Sequence, residues 1–118
     1  MTETGKYNLE ERTFAFARDV ALYCKKLPKT TANIEYSRQV IRSSGSTGAN
    51  YIEANESLSK KDFVFRLKIS RKEAKESIYW LKLIDETNDL INSQLSKKLI
   101  QEATELKKIL SAIIEKSK

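Results

Sequence analysis

Apolar residues recur at intervals of three and four along most of the chain, which is the period of an amphipathic α-helix. In the first such segment Asn8 is followed three residues later by Glu11, which matches a capping box. Pro28 ends the run. The apolar positions between these signals are Leu9, Phe16, Val20, Cys24 and Leu27. The pattern predicts a first helix over about 9–26.

A second helical pattern follows a short connector and covers about 32–56. Its apolar residues fall on one side together with two glycines; they are Ile34, Ile41, Gly45, Gly48 and Ile52. A glycine inside a helix costs about 1 kcal/mol relative to alanine. We therefore expect a neighbouring helix to approach closely at Gly45 and Gly48.

Two longer helical segments complete the chain. Ser59 with Asp62 three residues later marks the start of the third, about 60–88, and a polar stretch over 88–94 separates it from the fourth, about 95–116. Four helices joined by short loops predict an all-α, antiparallel, up-down-up-down four-helix bundle. We expect one domain over residues 1–118.

The third helix carries two apolar stripes when its residues are placed at about 100° intervals. One is assigned to the bundle core: Phe63, Leu67, Ala74, Ile78 and Leu81. The other lies well around the helix: Phe65, Ile69, Trp80 and Leu83. A helix of a lone bundle needs one apolar face, so the second favours an interface with another subunit. The alternative is a core that wraps widely around this helix.

A third stripe of the same helix is basic. Its members are Lys61, Lys68, Arg71, Lys72, Lys75 and Lys82. Such a row can neutralise regularly spaced phosphates, which predicts a nucleic-acid-binding surface. The alternative is a solvated face, with Glu73 and Glu76, which point elsewhere, making ordinary surface ion pairs. No aromatic residue alternates with these bases, so sequence-specific readout is not supported.

The second helix has a polar face of Arg42, Ser46, Asn50 and Glu53, spaced at three and four residues. Arginine offers a planar fork of donors that asparagine and glutamate can accept, so these residues could form a hydrogen-bonded network that sets register between helices or subunits. A solvent-exposed polar face has the same spacing. Spacing alone does not separate the two interpretations.

The 118 residues include 22 Lys and Arg against 16 Asp and Glu, a net charge of +6, which favours anionic partners. The lone cysteine, Cys24, cannot form an internal disulfide and is expected to be a core residue. The N-terminus does not read as a secretory signal, so we expect a cytoplasmic protein. No apolar run approaches the roughly 18 residues of a membrane span, so no membrane association is expected.

Histidine is absent, which removes the commonest general base and the commonest neutral metal ligand. The segment 45–48, Gly-Ser-Thr-Gly, lacks the spacing and the lysine of a phosphate-binding loop. Glu53 and Glu56 could do acid/base work, but no plausible nucleophile accompanies them. We expect a protein that is not an enzyme, with no catalytic residue, metal or cofactor.

The segments 41–54 (IRSSGSTGANYIEA) and 72–81 (KEAKESIYWL) resemble the four-helix-bundle proteins encoded in 23S ribosomal RNA intervening sequences. The similarity extends from about Tyr7 to Leu83. By this resemblance, the recurrent polar positions of the family are matched by Arg42, Ser46, Asn50 and Glu53, and its third-helix pattern by Glu76 and Leu81. Thr47 and Tyr51 stand where many relatives carry isoleucine.

The resemblance implies an antiparallel bundle that assembles into a homopentamer. The family is also similar to accessory proteins of diversity-generating retroelements, which form basic, barrel-like pentamers and engage reverse transcriptase and nucleic acid. Two hypotheses follow. The first is a homo-oligomer that binds RNA or DNA nonspecifically through the basic stripe, and the second is a scaffold for a protein partner with no nucleic-acid role of its own.

Overall fold

The computed structural model describes residues 8–89 and 93–118. Within them the chain forms four α-helices and no strand, so the prediction of an all-α four-helix bundle is confirmed. The helices are α1 (Leu9–Lys25), α2 (Thr31–Asn55), α3 (Lys60–Thr87) and α4 (Ser93–Lys116). The predicted ranges differ from these by at most two residues at an end. Residues 90–92 of the predicted polar connector, and residues 1–7 including Tyr7, lie outside the described residues.

The helix starts follow the capping signals of the sequence. The Asn8 Oδ1 accepts a hydrogen bond from the Glu11 backbone N–H at 3.1 Å, and the Ser59 Oγ accepts one from the Asp62 N–H at 3.0 Å. Thr30 caps α2 in the same way. Each cap satisfies a backbone donor that the helix cannot, which stabilises the helix by about 1 kcal/mol.

Each helix packs against its neighbours in the chain, and α1 also meets α4 over a smaller area. At one end of the α2–α3 contact the amides of Asn33 and Asn88 exchange two hydrogen bonds of 2.8 Å. Towards the other end Arg66 donates to Asn50 at 3.3 Å. Because the start of α2 thus pairs with the end of α3, these two helices run antiparallel.

The α1–α4 contact contains a salt-bridge cluster between one arginine of α1 and two glutamates of α4. The Arg12 guanidinium donates two hydrogen bonds to Glu102, of 2.8 and 2.9 Å, and one of 2.8 Å to Glu105. The hydrogen bond to Glu102 and the charge of that carboxylate raise the pKa of Arg12. A bidentate guanidinium–carboxylate contact constrains the orientation of the two side chains as well as the distance between them. It therefore holds α1 at one register along α4.

The core residues of α3 are those that the sequence predicted. Leu67, Ala74 and Leu81 are fully buried, and Phe63 and Ile78 are partly buried against the core. Leu99, Leu106 and Leu110 are among the residues with which α4 enters the same core.

The α2–α3 contact is lined by buried hydroxyl side chains. The hydroxyls of Ser43 and Ser77 share a hydrogen bond of 2.7 Å, and the Ser70 Oγ donates to the Thr47 carbonyl at 2.6 Å. All four side chains are fully buried. Small side chains allow two helix backbones to approach closely, and these hydrogen bonds remove the cost of burying the hydroxyls.

The isoleucines on the predicted apolar side of α2 do not belong to the buried core, since Ile34, Ile41 and Ile52 are each 44 to 48% exposed. The inward face of α2 is formed by Val40, Ala54 and the small polar residues, because the close contact with α3 leaves little room for isoleucine.

The two glycines of α2 also differ from each other. A β-carbon placed on Gly48 would meet the Thr13 side chain of α1, which confirms the expected close approach there. Gly45 has no atom within 4 Å of such a β-carbon, so the expectation fails at that position within one chain. Across the described helices, no segment is long and apolar enough to cross a membrane.

Candidate nucleic-acid interface

Four of the six predicted basic residues line one open groove between α3 and α4, and α4 adds a lysine and a serine. We call this surface the cationic groove. Its residues are Lys68, Arg71, Lys72, Lys75, Lys107 and Ser111.

The groove follows from helix geometry. Residues four and seven positions apart lie on one side of a helix, so Lys68, Lys72 and Lys75 share the outer side of α3 and are exposed. Arg71 lies nearer to α4 and is partly buried, and its Nη1 donates to the Ser111 Oγ at 3.3 Å. This contact orients the guanidinium along the groove.

The groove carries a concentrated positive charge. In residues 8–89 and 93–118, no carboxylate lies within ion-pair distance of any of its five cations. The other ion pairs of the described chain involve arginines and lysines elsewhere, such as Arg12, Arg42 and Lys97. Like charges this close repel each other, so a bound anion would be attracted by several cations at once.

Lys61 and Lys82 are exposed on the same side of α3 but do not line the groove. Each stands seven residues from the nearest groove lysine of α3, which is about 10 Å along a helix. They therefore extend the positive charge beyond both ends of the groove.

Lys107 and Ser111 were not predicted from the sequence, because the basic stripe was defined on the third helix alone. The two residues are four positions apart and so share one side of that helix. Only the packing of α4 against α3 reveals that this side borders the basic stripe. Tyr79 was also missed, although its spacing of four residues from Lys75 places it near one end of the groove, where it is 60% exposed.

On the side of the bundle shared by α2 and α3, Arg42 bridges two carboxylates of α3. Its Nη2 lies 2.7 Å from the Glu76 Oε2 and 3.2 Å from the Glu73 Oε1. Trp80 Nε1 donates to the same Glu76 oxygen at 3.0 Å. The hydrogen bonds from Trp80 and from Arg42 lower the pKa of Glu76, and the hydrogen bond to Glu76 raises the pKa of Arg42.

Glu73 is not the surface residue that the solvated-face alternative assumed. It is only 8% exposed, and its Oε1 has no well-directed hydrogen bond among the described residues, although Arg42 is near. A carboxylate buried in this way depends on the nearby guanidinium charge. The ion pair between Arg42 and Glu73 therefore lies at the edge of the buried α2–α3 contact.

The predicted polar face of α2 does not form one network. The Asn50 side chain donates to the Ser46 carbonyl at 2.9 Å and accepts from Arg66 of α3. Glu53 is exposed. Arg42 and Asn50 thus contact α3 separately, at positions two turns apart on α2.

The second apolar stripe of α3 stays partly open to solvent. Phe65 is 57% exposed, and Ile69, Trp80 and Leu83 are half-buried. Trp80 packs against Tyr36 of α2 with ring centres 6.0 Å apart. The stripe is therefore available for a contact outside the chain, and its role as an oligomer interface stays a prediction.

Among residues 8–89 and 93–118, no three or more acidic or cysteine side chains are arranged to hold a metal ion. Cys24 is buried as predicted, and burial raises the pKa of its thiol, which disfavours the reactive thiolate.

Comparison with known proteins agrees with this architecture. The profile of the 23S rRNA-intervening sequence protein family matches residues 6–112. A crystal structure from Bacteroides thetaiotaomicron, described as a protein of unknown function from the S23 ribosomal protein family, is 31% identical in sequence. It superposes with a TM-score of 0.78 over 89% of this chain and 96% of that one. No curated protein matches the chain.

Proposed function

The chain belongs to the family of 23S rRNA-intervening sequence proteins. We propose that it is a non-enzymatic, homo-oligomeric bundle that binds nucleic acid without sequence preference through the cationic groove. The observation that carries the proposal is the convergence of five cations from α3 and α4 on one open groove. None of them forms an ion pair with a carboxylate within the described residues.

The groove suits a phosphate backbone better than base edges. Lysines at 68, 72 and 75 present mobile point charges, while Arg71 is held by Ser111 and offers a planar donor fork. Each phosphate that these groups neutralise releases counterions, so affinity should fall steeply with salt. Sequence preference is not expected from such contacts.

The test is a triple charge reversal, Lys68→Glu, Lys72→Glu and Lys75→Glu, with binding to RNA and DNA followed by fluorescence anisotropy at low and high salt. We expect a loss of affinity of about a hundredfold at low salt. A matched control reverses three exposed lysines of α4 that do not line the groove, Lys98, Lys108 and Lys116. Equal losses in both proteins, or unchanged affinity in the groove variant, would contradict the proposal.

The second candidate, a scaffold for a protein partner, is favoured by the exposed apolar side chains of α1, α2 and α3. It predicts a partner that co-purifies at fixed stoichiometry after nuclease treatment. That partner should be retained by the triple charge-reversal variant, whereas nucleic-acid-mediated association should be lost.

A further inference from the structure

A large aromatic ring stands on the basic side of α3, next to the cationic groove. Tyr79 is 60% exposed. It follows Lys75 by four residues and precedes Lys82 by three, and residues at these intervals share one side of a helix. The ring therefore lies between two exposed lysines, of which Lys75 lines the groove. The basic stripe thus includes an aromatic position, contrary to the expectation that no aromatic residue alternates with its cations.

We infer that Tyr79 stacks on an unpaired base of a nucleic acid whose phosphates lie in the cationic groove, so that the groove binds single-stranded RNA or DNA in preference to a duplex. This inference rests on the nucleic-acid binding of the proposed function and names the class of strand that is bound. It does not depend on the oligomeric state.

The first support is that the tyrosine ring does not serve the hydrophobic core. Among the described residues, the aromatic side chains that fill the core or pack against it are Phe16, Tyr23, Tyr36, Tyr51, Phe63 and Trp80. Tyr79 is not one of them. Single exposed aromatic residues are common on protein surfaces, so exposure alone says little. What sets Tyr79 apart is its position between two lysines at the end of a groove of unpaired cations.

The second support is that the ring is held in place by its neighbour. The ring centres of Tyr79 and Trp80 are 5.1 Å apart, and the ring planes are inclined at 76°. Trp80 is itself fixed, since its Nε1 donates to Glu76 at 3.0 Å and its ring packs against Tyr36. An edge-to-face contact covers at most one face of the tyrosine ring. A ring that is already positioned loses little freedom when a base stacks on it.

The third support is the chemistry of the two neighbouring surfaces. A basic groove can follow a phosphate backbone, and an aromatic ring can stack on a base without sequence preference, because every base has a flat face. In a duplex these faces are covered by the adjacent bases, whereas an unpaired base can be splayed out onto a ring. A cationic groove with an aromatic ring at its end is therefore suited to a single strand.

Two carboxylates of α3 share this region with Tyr79. Glu76 stands one turn before it, but its carboxylate is paired with Arg42 at 2.7 Å. Glu86 is exposed one turn beyond Lys82, seven residues after Tyr79 and so about 10 Å further along the helix. A phosphate backbone is repelled on that side and attracted on the other. We therefore expect the strand to run from Tyr79 into the cationic groove and not away from it.

Phe65 has the same relation to two lysines at the other end of the stripe. It is 57% exposed, follows Lys61 by four residues and precedes Lys68 by three. Phe65 also belongs to the second apolar stripe of α3, for which an oligomer interface is predicted, whereas Tyr79 belongs to neither apolar stripe. The inference therefore rests on Tyr79.

The test compares the native chain with Tyr79→Ala in binding to oligouridine and to an RNA duplex of the same length, by fluorescence anisotropy. The native chain should bind the single strand more tightly. Tyr79→Ala should lose about tenfold in affinity for the single strand and less than about twofold for the duplex. Because stacking neutralises no phosphate, the slope of log affinity against log salt should stay the same.

Two further variants at the same position separate the ring from its apolar volume. Tyr79→Phe keeps the ring and should retain the native affinity for oligouridine, whereas Tyr79→Leu should bind as weakly as Tyr79→Ala. Phe14→Ala is the matched control, since it removes a 70% exposed ring of α1, away from the basic stripe, and should change neither affinity. Both positions are exposed, so far-UV circular dichroism should show native helicity in every variant.

The single tryptophan of the chain gives a direct readout of the stacked base. Trp80 is that tryptophan, and its ring centre lies 5.1 Å from the ring centre of Tyr79. A base on Tyr79 lies close to the indole and should change its fluorescence emission. Oligouridine should produce this change in the native chain and in Tyr79→Phe, and a much smaller one in Tyr79→Ala. A purely structural role of Tyr79 would not give this dependence.

Unchanged affinity of Tyr79→Ala for oligouridine, equal losses for single strand and duplex, or a Tyr79→Phe variant as weak as Tyr79→Ala would each overturn the inference. The proposed function would still stand in these cases if the triple charge reversal in the groove abolished binding. A native chain that binds neither oligouridine nor the duplex would instead contradict the proposed function itself.

Discussion

Gly48 of α2 lies directly against Thr13 of α1: a β-carbon on Gly48 would be 2.8 Å from the Thr13 hydroxyl oxygen and 3.1 Å from its β-carbon. Thr13 is itself buried, and its hydroxyl donates to the Leu9 carbonyl at 2.6 Å. The threonine therefore has little freedom to move aside, and Gly48 sets the distance between α1 and α2.

Gly48→Ala should lower the free energy of unfolding by about 1–3 kcal/mol, because the added methyl group overpacks the α1–α2 contact. Gly45→Ala is the matched control and should raise it by up to about 1 kcal/mol, since alanine favours the helix and meets nothing there. Urea unfolding of both variants and of the unchanged chain, at one low protein concentration, is the measurement. Equal stabilisation by both changes would contradict the close contact.

Arg42→Ala should destabilise the chain by about 1–3 kcal/mol, because it leaves the buried Glu73 carboxylate without its guanidinium. Adding Glu73→Gln should recover part of the loss, since a neutral amide is less costly to bury than a carboxylate. Arg38→Ala, one turn earlier and paired only on the surface, should cost less than about 0.5 kcal/mol. A double-mutant cycle by urea denaturation measures the coupling, and equal costs for the two arginines would show that Glu73 does not need Arg42.

The stability that Glu76 contributes should be present at neutral pH and be lost in acid. The hydrogen bonds from Trp80 and Arg42 hold the pKa of Glu76 below its ordinary value of 4.5, so the unfolded chain takes up the proton first as pH falls. The loss should therefore begin near that value and continue as pH drops through the lower folded pKa. Urea midpoints for the native chain and for Glu76→Gln should converge in this window, and parallel curves would exclude the effect.

Lys107→Gln should weaken nucleic-acid binding at low salt and reduce the slope of log affinity against log salt by about one unit. Lys108→Gln removes the same charge from the neighbouring position, which does not line the groove. It should change affinity much less. Anisotropy titrations at several salt concentrations distinguish the two, and identical behaviour would mean that net charge, and not the groove, determines binding.

Local signals in the sequence were enough for the helix boundaries. A cap such as Asn8 with Glu11 acts within one turn, so its effect can be predicted without the rest of the fold. The apolar stripe of α3 also predicted the core correctly, since Leu67 and Leu81 are large and have no competing apolar partner on that face.

The inward face of α2 could not be predicted in the same way. There the buried positions are hydroxyl residues such as Ser43 and Thr47, whose polarity is satisfied only by α3 and by their own helix. A prediction based on hydropathy therefore assigned the exposed isoleucines, and not these hydroxyl residues, to the apolar side of α2. The burial of Glu73 and the addition of Lys107 to the basic stripe likewise depend on which helices pack together, and helical spacing carries no such information.

The attachment of α1 has a consequence for the order of events in the cell. This helix is held to α2 at Gly48 and to α4 by the contact of Arg12 with Glu102, which lies 90 residues later in the chain. During synthesis the contact with α2 can form first, whereas the contact with α4 must wait until the last helix has been made. The first helix therefore completes its packing only when synthesis of the chain is nearly finished.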